Sequence, residues 1–133
     1  VIHARDYMPL CIRAGADNSK QTGYPIGTVV PVAWNNVTIY LLAVSQFDDM
    51  NTAHSSKEYI ETALISLLEF YNVFGQGNDI YIPLVGTGRS RANLSNKEAV
   101  DLFEKVINEN QEKLHGKIHM VVTPNIGEEL LVM

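Results

Sequence analysis

Tyr81-Ile82-Pro83-Leu84-Val85-Gly86-Thr87-Gly88-Arg89-Ser90-Arg91 is an apolar run that stops at two glycines and then turns basic. Residues 79–85 are rich in Ile, Tyr and Val, as a buried strand requires, and glycine admits backbone angles that a Cβ forbids. The run therefore predicts a strand that delivers a loop whose amide N–H groups can converge on an anion. The loop leads to Ser95-Asn96-Lys97-Glu98, a Ser-x-x-Glu capping box that opens a helix. Everything between Gly86 and Ser95 joins the carboxyl end of a strand to the start of a helix, the edge at which open α/β sheets take their ligands. No Gly-Lys-Ser/Thr follows at Walker A spacing, and the third Rossmann glycine is missing, so neither standard nucleotide motif applies. On the residues alone, a phosphate loop and an ordinary strand-to-helix turn both stay open. So do two readings of Arg89 and Arg91, which alternation points the same way: both forks meet phosphate oxygens, or both face solvent while Ser90 reaches the ligand.

Upstream, residues 28–34 and 37–45 are β-branched and aromatic, and Asn35-Asn36 between them tolerates positive φ, which predicts a hairpin. Pro31 cannot donate a ladder hydrogen bond, so the first strand reads as the edge and the apolar second strand as sheet interior. Ser55-Ser56-Lys57-Glu58 is a second capping box, followed by Ile60, Leu64, Leu67, Leu68 and Tyr71 at helical spacing, with Gly75 as the stop. The helix after Ser95 turns Ala99, Leu102, Phe103, Val106 and Ile107 inward and stops at Gly116, and residues 117–123 form a last strand. Strand, helix, strand, helix, strand from 37 to 123 implies two right-handed crossovers and a parallel sheet with helices on its faces. The first twenty residues read as a short helix and a loop. Parallel strands would place Gln46, Phe47, Asp48, Pro124 and Asn125 on the same edge as Gly86, and Tyr24-Pro25-Ile26-Gly27 forms a rigid turn before the hairpin.

With 133 residues and 46% hydrophobic content the chain fits one domain, residues 1–133, with a real core. Ten Lys and Arg against fifteen Asp and Glu leave a net charge of −5, which argues against binding to nucleic acid mainly through its phosphates. The single cysteine, Cys11, excludes an internal disulfide and a cysteine zinc site and suits the cytoplasm. No membrane-length apolar run is present, and a chain that opens on Val1-Ile2-His3 without Met reads as a piece of a longer protein. His3, His54, His115 and His119 have no metal-binding helical spacing, no nucleophile elbow occurs, and the glutamates read as caps and solvated faces, so no catalytic group and no metal site is expected.

In this order of elements the chain resembles a macro domain. Tyr24-Pro25-Ile26-Gly27-Thr28-Val29 resembles the Cys-Pro-Thr-Gly-Glu-Ala turn of that family, and residues 80–88 resemble its Ala-Phe-Pro-Ala-Ile-Ser-Thr-Gly strand and loop. Tyr-Pro-Ile-Gly-Thr-Val, Ile-Tyr-Leu-Leu-Ala-Val-Ser-Gln-Phe-Asp and Ile-Pro-Leu-Val-Gly-Thr-Gly-Arg-Ser-Arg are similar to the divergent macro domain of bacterial Thoeris-type antiphage effectors. The resemblance covers residues 24–123 and departs from ordinary macro domains before Tyr24, where the early strands and the Asn-rich first loop do not appear. It implies a three-layer α/β/α fold with a mixed, mostly parallel sheet. It also implies a sensor, with no cofactor, for an ADP-ribose derivative that a TIR-domain partner makes from NAD. In the resemblance the effector lies upstream on transmembrane helices, the domain faces the cytosol, and oligomerisation is open. Gly86, Thr87 and Gly88 would hold the diphosphate, Arg89 and Arg91 the outer phosphate or ribose face, and Asn125 the edge of a base, with Ser90, Tyr24, Gln46 and Phe47 completing the ligand contacts. The alternative is an ADP-ribosyl hydrolase or ADP-ribose phosphate phosphatase.

Overall fold

The computed structural model describes residues 11–12, 22–88 and 92–131. In chain order they form β1 (Cys11–Ile12), β2 (Thr22–Gly23), β3 (Val29–Trp34), β4 (Val37–Leu42), β5 (Gln46–Phe47), β6 (Ala53–His54), α1 (Lys57–Phe74), β7 (Ile80–Pro83), α2 (Asn96–Asn110), β8 (Ile118–Val121) and α3 (Pro124–Leu131). This is a mixed α/β fold, as expected. The helix read in the first twenty residues lies outside the described residues, apart from Cys11 and Ile12, which pair as strand with Gly23 and Thr22.

The hairpin is where the asparagines put it. Asn35 (φ 48°) and Asn36 (φ 65°) take the left-handed backbone of a two-residue turn, and Trp34 lies opposite Val37. Its second strand corrects the sequence reading. Among the described residues β4 hydrogen-bonds only to β3, and the three-strand parallel sheet contracts to a single parallel pair, β7 with β8. Val37, Ile39 and Leu41 on the outward face of β4 are 57%, 38% and 55% exposed. An apolar run measures what a strand can bury, not whether a neighbour arrives to cover it.

Two helices cover the other face. α1 is capped by Ser56, whose Oγ accepts the Tyr59 N–H at 3.1 Å, one residue later than the expected box, because the Ser55 hydroxyl instead donates to the Val44 carbonyl at 2.6 Å. It buries Ile60, Ala63, Leu64, Leu67, Leu68 and Tyr71 and closes at Gly75, whose N–H donates to the Tyr71 carbonyl at 2.7 Å. α2 opens on the complete Ser95–Glu98 capping box and buries Ala99, Val100, Leu102, Phe103 and Val106. The expected stop at Gly116 is a correction: α2 ends at Asn110 and runs into a 3-10 turn, Gln111–Lys113. Gly116 is glycine because a Cβ there would collide with the Tyr71 hydroxyl and the Asn78 carbonyl, which are hydrogen-bonded to each other.

Residues of α1, α2 and the inward strand positions build two linked clusters, one around Ile60, Leu64, Leu102 and Val106, the other joining Val29, Leu67, Ile82 and Phe103. Each fully buried Leu, Ile or Phe contributes roughly 1.5–3 kcal/mol by leaving water. Because α1 and α2 contribute to both clusters, they lie on one side of the strands. On the opposite side Trp34 is 63% and Tyr81 64% exposed. The last strand is shorter than expected, since Thr123-Pro124 starts α3, a helix not anticipated: proline suits the first helical turn, where no N–H is needed. No described helix is long and apolar enough to cross a membrane.

Candidate functional site

β7 and β8 run parallel, Ile80 opposite Ile118 through Pro83 opposite Val121, so their carboxyl ends share an edge. The Leu84 N–H reaches the Val121 carbonyl at 3.3 Å and carries the pairing one step further before the glycines. The two glycines there have different jobs. Gly86 is buried at φ 105°, and a Cβ on it would stand 2.7 Å from Leu94 Cδ1. Its carbonyl accepts the Leu94 N–H at 3.1 Å, closing the loop's base over a core leucine. Gly88 has no such conformation. A Cβ on it would meet nothing within 4 Å among the described residues. Thr87 between them is half-buried, and Arg89, Ser90 and Arg91 lie outside the described residues.

Three helix starts surround this loop. Ile60, in the first turns of α1, lies 3.5 Å from the position of a Gly86 Cβ. Its neighbour Tyr59 donates its hydroxyl to Gln46 Oε1 at 3.4 Å, which brings Gln46 to the same edge. Lys57, the first residue of α1, is close enough to Glu98 of α2 for its charge to help hold that carboxyl below the usual range, after the Ser95 N–H and hydroxyl, which act more strongly. Asn96 donates Nδ2 to Glu129 Oε2 at 2.8 Å and ties α3 to the start of α2. Asn125 sits exposed in the first turn of α3, at the carboxyl end of β8 as the parallel pairing demanded, although in a helix rather than a loop.

Sequence reasoning missed Lys57, an exposed cation where the helix dipole disfavours one. It read only as the interior of a capping box. A second group went unnoticed. His54 Nε2 donates to Asp48 Oδ2 at 2.7 Å, while Asp48 Oδ1 accepts the N–H groups of Met50 and Thr52, each at 2.9 Å. These bonds hold the Asp48 carboxyl below the usual range, the His54 contact first and the Thr52 N–H next. His54 stands opposite Gln46 in the β5–β6 pair, and Phe47 beside it is 55% exposed. An i, i+6 separation through a turn has no periodic signature.

Tyr24 belongs to a turn fixed from several sides. Gly27 (φ 89°) donates its N–H to Ala43 and accepts the Ser66 hydroxyl at 2.6 Å, and Thr28 closes onto the Pro25 carbonyl at 2.7 Å through its side chain. Tyr24, Thr28, Val30, Leu41, Leu42 and Ala43 line an open cleft of about 220 Å3 around the carboxyl end of β4. Among the described residues no group of three or more His, Cys, Asp or Glu side chains is placed to hold a metal ion.

The edge thus combines a glycine loop, a nearby lysine, polar Gln46 and Asn125, and exposed Phe47, an arrangement suited to an anion joined to something flat and polar. No curated protein matches the chain. Residues 5–123 match the family described as Thoeris protein ThsA, Macro domain.

Proposed function

The chain belongs to the Thoeris ThsA macro-domain family, and on that premise we propose that it is a sensor domain whose glycine loop seats the diphosphate of an ADP-ribose-type ligand in antiphage defence. The signal, on this reading, is an NAD-derived nucleotide made by a TIR-domain partner. The observation that supports it is Gly88, an exposed glycine whose Cβ would meet nothing within 4 Å among the described residues, two residues from a Gly86 locked into the core. Diphosphate oxygens need close approach to backbone N–H groups, and that is the place a side chain would obstruct. Lys57 adds positive charge to the same edge of an otherwise acidic chain.

A hydrolase or phosphatase acting on an ADP-ribosyl compound is the second reading, favoured by the His54–Asp48 pair, since a histidine oriented by a carboxylate suits proton transfer. One experiment separates the two. The protein is incubated with ADP-ribose 1″-phosphate and with ADP-ribosylated protein while thermal unfolding is followed with ADP-ribose. The sensor reading expects stabilisation of about 2.7 kcal/mol at one hundred times the Kd, and no turnover. Steady product release that disappears in His54→Ala replaces it with the enzymatic reading.

A further inference from the structure

The His54–Asp48 pair is built more tightly than a surface ion pair needs to be. Asp48 is fixed from two sides, Oδ1 by the Met50 and Thr52 N–H groups and Oδ2 by His54. A carboxylate only accepts, so the imidazole nitrogen facing it carries the proton, and in the neutral ring Nδ1 is then an acceptor. The side chain of His54 is 62% exposed and its Nδ1 has no partner among the described residues. The strand pairing puts His54 opposite Gln46, and Gln46 is bound to Tyr59, whose neighbour Ile60 packs under Gly86. A histidine with fixed orientation and an open acceptor therefore stands on the hairpin whose other strand reaches the first turn of α1 through Gln46 and Tyr59.

We propose that His54 is a specificity-determining ligand contact, its Nδ1 accepting a hydrogen bond from a ribose hydroxyl of the nucleotide while Asp48 holds the ring in the required tautomer. The inference rests on the nucleotide reading of the Gly86–Gly88 loop. It assigns the β5–β6 hairpin to the sugar. Phosphates need donors, and a neutral Nδ1 repels them, whereas a hydroxyl can donate to it.

The two ring nitrogens can be removed separately. Asn at this position keeps a polar group near Nδ1 and gives up the reach to Asp48; Gln keeps a group near Nε2, able to meet Asp48, and gives up Nδ1. Calorimetry with ADP-ribose and with ADP is run on the wild-type chain, His54→Ala, His54→Asn and His54→Gln, with melting curves for each. His54→Ala is expected to weaken ADP-ribose binding about five- to tenfold, the worth of one hydrogen bond. His54→Asn recovers part of that loss and His54→Gln does not. An equal loss with ADP assigns the contact to the adenosine ribose, and a loss confined to ADP-ribose assigns it to the distal ribose. Should His54→Ala bind ADP-ribose within twofold of wild type, or should Gln restore binding better than Asn, His54 is only a clamp for its hairpin and the proposal falls. Absence of ADP-ribose binding to the wild-type chain is a different result, which overturns the nucleotide reading and this inference together.

Discussion

The β7–α2–β8 unit and the β3–β4 hairpin are both built on mostly apolar strands and cover them by different routes. In the crossover unit the inward Ile82 is 3% exposed and Leu102 2%, the outward Tyr81 and Val121 are 64% and 49% exposed, and the two parallel strands are joined by a helix that packs on their inner side. In the hairpin, Val29 is buried on the inward face, but Val30, Val32, Trp34, Val37, Ile39 and Leu41 lie together on the outward one, where Trp34 and Leu41 are more than half exposed. Parallel pairing requires a crossover, and the crossover brings its own cover. A hairpin needs only its turn. The candidate site accordingly belongs to the unit whose geometry is fixed by packing, with the hairpin supplying the turn at Gly27 that is anchored to Ser66.

The comparison is broken most readily in the core. Leu102→Ala should lower unfolding free energy by about 2–5 kcal/mol in urea titration, whereas Leu41→Ala on the hairpin's outer face should stay within about 0.5 kcal/mol. Comparable losses would mean that the outer face is covered in solution. Next in size is the pair of loop glycines. Gly86→Ala forces a side chain into φ 105° and against Leu94, and should cost about 1–3 kcal/mol, while Gly88→Ala should be nearly silent in stability. Equal effects would remove the distinction between the glycine that builds the loop and the one that leaves it open.

The smallest effect lies at the far end of β7. Asp79 Oδ2 accepts from His119 Nε2 at 3.0 Å, and His119 stacks on Tyr81 with centroids 4.4 Å apart. The His119 contact, foremost, holds the Asp79 carboxyl below its ordinary 3.8. A depressed carboxyl stabilises the fold above the unfolded-state value, and that contribution disappears as pH falls through the lower folded value. The melting difference between wild type and Asp79→Asn should thus be present at pH 6 and close as the pH is taken below about 3.8. Because this end is opposite the loop, ligand affinity should not change.

Features whose partners sit close in sequence were legible: Ser95 and Glu98 bind each other within one turn, and Asn35-Asn36 dictates its hairpin by backbone angle alone. The positions of Gly86 and Asn125 at one edge followed from strand direction. What escaped depended on distant or irregular partners. Gly116 answers to Tyr71 on another element, Ser55 is diverted from capping by Val44, and Pro124 reads equally well as the end of a strand or the start of a helix. The exposure of β4 escaped for the same reason, because pattern reports the capacity for burial and tertiary contacts decide it. Lys57 and His54 were visible as residues and silent as a site, since nothing in their spacing tied them to the loop.

The central claim is that the space at Gly88 belongs to a diphosphate. Gly88→Val fills that space while touching none of the packing that holds Gly86, Leu94 and Ile60. Isothermal calorimetry with ADP-ribose at fixed salt, paired with melting curves, should find a variant that melts within a degree or two of wild type, consistent with a surface change of about 0.5 kcal/mol or less, and has lost measurable binding. ADP-ribose affinity in Gly88→Val equal to that of the wild-type chain would contradict the account.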